Sequence, residues 1–171
     1  ISHCDADLCV VKCVINFNAI KEQCELAQQT LKQQLNLIAS RPVTESNLNN
    51  TILKMDAVLT EFQDSTNPLG FFFYVSPNED IRQVSKKCSE QVEKLVLATF
   101  TRKDLYERVS HANKATFGPL EKRLTTELLL DFKENGLELS EKDRDKLLKL
   151  KSEVIELTTD FRETLNNWDK V

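Results

Sequence analysis

Leu147, Leu150, Val154, Leu157, Phe161 and Leu165 follow one another at steps of three and four residues. A helix of roughly 25 residues would carry them as one apolar stripe about 37 Å long, at ~1.5 Å per residue. Such a stripe needs apolar neighbours along its whole length. The expectation is therefore that this helix lies in the core of a bundle. A seam between two copies is the lesser reading, because the heptad lacks consistent flanking charge pairs.

The same periodicity recurs upstream. Phe17, Ile20, Cys24, Ala27, Leu31, Leu35 and Ile38 mark one face of a helix from Phe17 to Ala39, which Arg41-Pro42 ends. A second helix is expected from Thr44 to Gln63, with Leu48, Ile52, Met55, Leu59 and Phe62 inward. Asn67, Pro68 and Gly70 rule out a regular helix before Phe71, so the aromatic run Phe71 to Tyr74 reads as a connector plugging one end of the bundle. Ser76 followed by Pro77 and Glu79 has the form of a capping box, opening a helix from Pro77 to Ala98 with Ile81, Val84, Cys88, Val92 and Leu95 inward. A shorter helix around Asp104 holds Leu105 and Val109. After Phe117-Gly118-Pro119, Leu120, Leu124, Leu128 and Leu129 build another, closed at Asn135-Gly136, where glycine can turn left-handed. Leu137 and Leu139 can tuck inward across the turn. Ser140 then caps the last helix, with Asp143 at the capping-box position.

With only 3 Gly and 4 Pro in 171 residues, the chain has little material for turns. The reading is an all-α fold, an antiparallel multi-helix bundle of about six helices.

Composition excludes several functions. A net charge of -4 with no long basic face argues against a nucleic-acid partner. No apolar run is long enough to span a membrane. Asp5 and Asp7 stand where a secretory signal would carry positive charge, so the N-terminal stretch reads as neither signal nor transit peptide. Ile1 in place of Met is a first sign of a fragment. The five cysteines, Cys4, Cys9, Cys13, Cys24 and Cys88, are an odd number without paired CxxC spacing, which suggests reduced thiols in a cytosol-like compartment. His3 with Cys4, Cys9 and Cys13 could be drawn as a metal cluster, but small buried hydrophobes are the preferred reading. His111 reads as a surface histidine without a catalytic partner. No catalytic, cofactor-binding or metal-ligating residue is nominated.

Two long stretches carry a resemblance. FFFYVSPNEDIRQVSKKCSEQVEKLVLATFTRKDLYERV, residues 71–109, resembles the segment of thimet-oligopeptidase-type peptidases where Val-Ser-Pro precedes an Ile-Arg helix and then an Arg/Asp/Leu/Tyr step. LTTELLLDFKENGLELSEKDRDKLLKLKSEVIELTTDFRETLN, residues 124–166, resembles the following segment, in which Asn-Gly-Leu joins two helices. Asn16-Phe17-Asn18 and the first two helices resemble the start of the same lobe. The likeness covers nearly all of residues 16–166 and rests on the order and spacing of the motifs. Residues 1–15 have no match, and 167–171 diverge.

The family, the M3 peptidases that include neurolysin and saccharolysin, consists of zinc endopeptidases cutting short peptides in a channel between two helical lobes. The resemblance implies that this chain is the N-terminal, non-catalytic part, a section of channel wall, with cytoplasmic or mitochondrial placement. The zinc would belong to the parent enzyme only: its His-Glu-x-x-His motif is absent, since His3 and His111 are the only histidines. The expected partner is the missing catalytic lobe of the same polypeptide, or short peptides, with no membrane partner. The first reading predicts an apolar face left bare. The alternative is a standalone non-enzymatic helical protein binding peptides or a protein partner, with polar residues on the former docking face. An unrelated helical bundle is the third.

Overall fold

A computed structural model describes residues 16–112 and 117–167. It contains six α-helices, and no strand occurs among the described residues. They are α1 (Phe17–Ala39), α2 (Leu53–Val75), α3 (Glu79–Thr99), α4 (Lys103–His111), α5 (Pro119–Glu134) and α6 (Glu141–Asn166). The all-α expectation holds.

α1 has the expected bounds. The Asn16 side chain caps it by accepting from the Ala19 N–H, and Ile20, Cys24, Leu31, Leu35 and Ile38 are buried at the expected spacing. Phe17 departs from that face and is exposed. After Pro42 comes a 3₁₀ turn at Val43–Glu45, then a π-helical turn at Leu48–Ile52 that runs into α2. Asn47 and Asn50 cap that turn reciprocally: each side-chain oxygen accepts the other's backbone N–H at 3.0 Å.

The connector expected after Gln63 is absent. α2 continues through Pro68 and Gly70 to Val75. Pro68 cannot donate to the helix ladder, yet burial of Thr66, Leu69 and Phe73 on the same face keeps the chain helical. The Ser65 and Thr66 hydroxyls donate to the Glu61 and Phe62 carbonyls within this segment. Gly70 lets α2 approach α3 closely, since a Cβ there would lie 2.7 Å from Ser89 Oγ. Phe71, Tyr74 and Val75 are thus the exposed side of the last turns of α2, while Phe73 is core.

The start of α3 also differs. Ser76 ends α2 and Asn78 is the N-cap, accepting from Ile81 N, so the helix begins two residues after the capping box suggested by sequence. The nearly buried Arg82 explains the offset: its guanidinium donates to the Ser76 and Pro77 carbonyls and fixes the turn.

The main core joins α1, α2, α4 and α5 through Leu31, Leu35, Ile52, Met55, Leu105, Val109 and Phe132. The Phe132 ring meets Phe100 and Tyr106 edge-on. A second cluster, of Ile20, Cys24, Leu69, Val84 and Cys88, joins α1, α2 and α3. Cys24 and Cys88 form a disulfide within it. For these two residues the expectation of reduced thiols is overturned, because apolar packing brings their Cα atoms to 6.0 Å, within bridging range. Cys4, Cys9 and Cys13, with His3, lie outside the described residues.

The seam between α5 and α6 has the expected form. Gly136 takes φ +87°, and Ser140 Oγ accepts from Asp143 N. Leu137 packs on the core, but Leu139 is exposed.

Candidate functional site

The last helix packs chiefly on α3, and it does so the opposite way round from expectation. Leu150, Val154, Leu157, Phe161 and Leu165 are each at least half exposed, with Leu157 at 65% and Phe161 at 64%. The packed face is Leu148, Ile155, Thr159 and Glu163, among which Thr159 is buried and donates to the Ile155 carbonyl. Residues two apart on a helix point about 200° from each other, so the packing of Ile155 and Thr159 sends Leu157 and Phe161 outward.

Ion pairs cross this interface. Lys86 of α3 bridges Asp160 and Glu163 of α6, with its amine 2.7 Å from Asp160 Oδ1. Gln83 donates to the same Glu163 carboxylate, and Lys94 pairs with Glu156. Arg162 lies 3.8 Å from Glu93. Burial alone would pull the Lys86 pKa down, but the bonds to Asp160 and Glu163 outweigh it and push the value up to about 12. The bonds from Lys86 and Gln83 hold Glu163 below the ordinary carboxylate range. Glu90 is displaced upward by burial, with Lys86 and Lys94 opposing. At the near end of α6, Lys151 donates to the Glu134 carbonyl and to Asn135 Oδ1, closing the C-terminus of α5. At the far end, Asn166 Nδ2 lies 3.4 Å from the Phe73 carbonyl. That contact brings Phe161 and Leu165 to the same end of the molecule as exposed Phe71, Tyr74 and Val75.

Surface grooves lie elsewhere on the bundle, away from α6. One of about 430 Å³ between α1 and α2 is lined by Leu26, Thr30, Gln34, Glu61 and Ser65. A second, of about 480 Å³, lies over the disulfide between α1 and α3, with Phe17, Lys21 and Lys87 at its walls. The third, of about 460 Å³, is acidic, with Asp56, Glu127 and Asp131. Burial, reinforced by Glu134 and Glu127, raises the Asp131 pKa.

His111 is at the surface, as expected, with Nδ1 2.8 Å from the Glu107 carbonyl and 3.2 Å from Ser110 Oγ. Among the described residues no group of three or more His, Cys, Asp and Glu is placed to hold a metal ion. The donors here therefore do not fit the zinc that the resemblance implies: the chain has two histidines, 108 positions apart, where a helical pair is needed. No described helix is long and apolar enough to cross a membrane.

The described residues thus form an all-helical fold in which the last helix is ion-paired to α3 and leaves its apolar side bare. Comparison with known proteins gives the relationship. The chain is 24% identical over 152 residues to a thimet-like oligopeptidase of Dictyostelium discoideum, a match covering 85% of this chain and 23% of that protein. It is 28% identical over 94 residues to a probable thimet oligopeptidase of Arabidopsis thaliana, covering 54% of this chain and 13% of that protein. No protein-family model matches. The chain spans less than a quarter of the length of these curated relatives.

Proposed function

We propose that this chain is the N-terminal, non-catalytic helical region of a thimet-oligopeptidase-type zinc endopeptidase, forming part of the wall of the channel that admits short peptides. The observation that carries this reading is the similarity to the thimet-like oligopeptidase over 85% of the chain. Residues 16–166 form the helical region, while 1–15 and 167–171 stand apart from the family pattern. The zinc and its base belong to the remainder of such an enzyme, and this chain contributes shape and exclusion.

The bare stripe on α6 supports the same reading. A standalone binding protein would carry polar residues where a lobe once docked, and Leu150, Val154, Leu157, Phe161 and Leu165 are not polar. As to compartment, the Cys24–Cys88 disulfide favours an oxidising environment over the cytoplasm inferred from the cysteine count.

The test is enzymatic. The native protein carrying these peptides, purified from its source, should cleave a short fluorogenic peptide and lose that activity with a zinc chelator. The recombinant 171-residue chain should be inactive. Chelator-sensitive cleavage by the clean recombinant chain would overturn the non-catalytic assignment.

A further inference from the structure

We infer that the outward stripe of α6, continued by the exposed end of α2, is the surface by which this helical region seats on the rest of its own polypeptide. Its occupant is an apolar face of that remaining chain. The inference rests on the peptidase reading above and adds the place of contact to it.

Three observations select this occupant. First, α6 is amphipathic in the sense opposite to an ordinary surface helix. Its bundle-facing side offers Thr159, Glu163 and the ion pairs to Lys86 and Lys94 beside Leu148 and Ile155, while five large apolar side chains face away. A single exposed leucine needs no explanation, but an apolar row about four turns long marks a contact surface.

Second, two of the charges that a symmetric pairing of two α6 helices would use are already engaged. With Leu150 and Leu157 at one seam position and Val154 and Phe161 at the other, the flanking positions include Lys151 and Asp160. Lys151 is bonded to Glu134 and Asn135, and Asp160 to Lys86. The contact between Asn166 and Phe73 also brings the end of α2, with exposed Tyr74 and Val75, to the C-terminal end of α6.

Third, the relatives are long enough to supply the cover. The matched region is 23% of the thimet-like oligopeptidase, leaving more than three-quarters of such a polypeptide to pack elsewhere.

The experiment uses the native protein from its source. Lys146 and Lys149 are exposed in the turns where the stripe begins. A cross-linker with one amine-reactive and one photoreactive end, attached there, inserts into whatever lies against α6. The expected result is insertion into peptides outside these 171 residues but within the same polypeptide, with no change in mass under denaturing conditions. The double substitution Leu157→Gln and Phe161→Gln in the native-length gene should lower that insertion by at least about fivefold. Helical content and the Cys24–Cys88 disulfide should stay unchanged. Insertion into residues 16–167 of a second copy, with doubled mass, overturns the inference and leaves the peptidase reading standing. Insertion into an unrelated protein does the same. A native species of only 19.7 kDa overturns both.

Discussion

Cys24 on α1 and Cys88 on α3 are joined by a disulfide that spans 64 residues of sequence, inside an apolar cluster with Ile20, Leu69 and Val84. The bond ties α1 to α3 within this second cluster, next to the main core.

By the chain-entropy argument a loop of this length is worth about 4 kcal/mol. Reduction, or Cys88→Ala, should therefore lower unfolding stability by ~2–4 kcal/mol, read as the shift in a urea titration with and without reductant. A shift below about 0.5 kcal/mol would show that the two thiols are not bonded in solution.

The charged seam between α3 and α6 should respond to pH. Glu163 has a depressed pKa, so its contribution is present above its ordinary value of 4.5 and is lost as pH falls through the lower folded value. Lys86 has a raised pKa, so its contribution is complete below 10.5 and fades as pH rises through about 12. Glu90, displaced upward by burial, works against Glu163 in acid, because its protonation relieves an unfavourable charge. Glu93, Lys94, Glu156, Asp160 and Arg162 also face this seam. Hydrogen exchange should show α6 losing protection before α1 as the pH drops below 4.5, and at neutral pH as salt rises. Equal protection in α1 and α6 under both conditions would contradict this.

Removing the bridging amine alone should be felt locally. Lys86→Met leaves Glu163 with Gln83 as its remaining donor and should cost ~1–2 kcal/mol, measured by urea unfolding at neutral pH. Neutral or improved stability would show that apolar contact, not charge, seats α6.

Core and stripe should separate cleanly. Leu105→Ala, at a fully buried site, should cost ~2–5 kcal/mol. Leu157→Gln in the 171-residue chain should change stability by less than about 0.5 kcal/mol, because that side chain already faces water. Comparable losses at both positions would place Leu157 in a core.

Gly136→Ala tests the seam between α5 and α6. At φ +87° a side chain costs ~1–2 kcal/mol, and its Cβ would also lie 2.6 Å from Leu147 Cδ2. The thermal midpoint should fall by several degrees, roughly 2–8 °C for a chain of this size. An unchanged midpoint would mean the turn adopts another geometry.

Much of the architecture was legible from local chemistry. The bounds of α1, the left-handed Gly136 and the Ser140 cap each follow from a residue type with one strong conformational preference. Where reading failed, a nonlocal contact decided the outcome. Pro68 and Gly70 are helix breakers by propensity, but burial of Leu69 and Phe73 and the close approach to Ser89 carry α2 through them. Ser76 looked like the better cap until the Arg82 guanidinium took its carbonyl. The pairing of Cys24 with Cys88 left no trace in an odd cysteine count, since only the packing of α1 on α3 brings them together. The α6 stripe shows the limit most clearly. Periodicity reveals that a helix has an apolar side, but not which neighbour that side meets, and here the opposite face, with Thr159 and the partners of Lys86 and Lys94, lies against α3.

The most direct test of the peptidase reading is the mass of the native protein. Residues 134–142, ENGLELSEK, form a tryptic peptide that can be followed by mass spectrometry through a size-separated denatured extract of the source. The expected result is a species several times larger than 19.7 kDa, containing this peptide and a His-Glu-x-x-His sequence in one chain. Detection only near 19.7 kDa would contradict the reading and direct attention to what binds the bare face of α6.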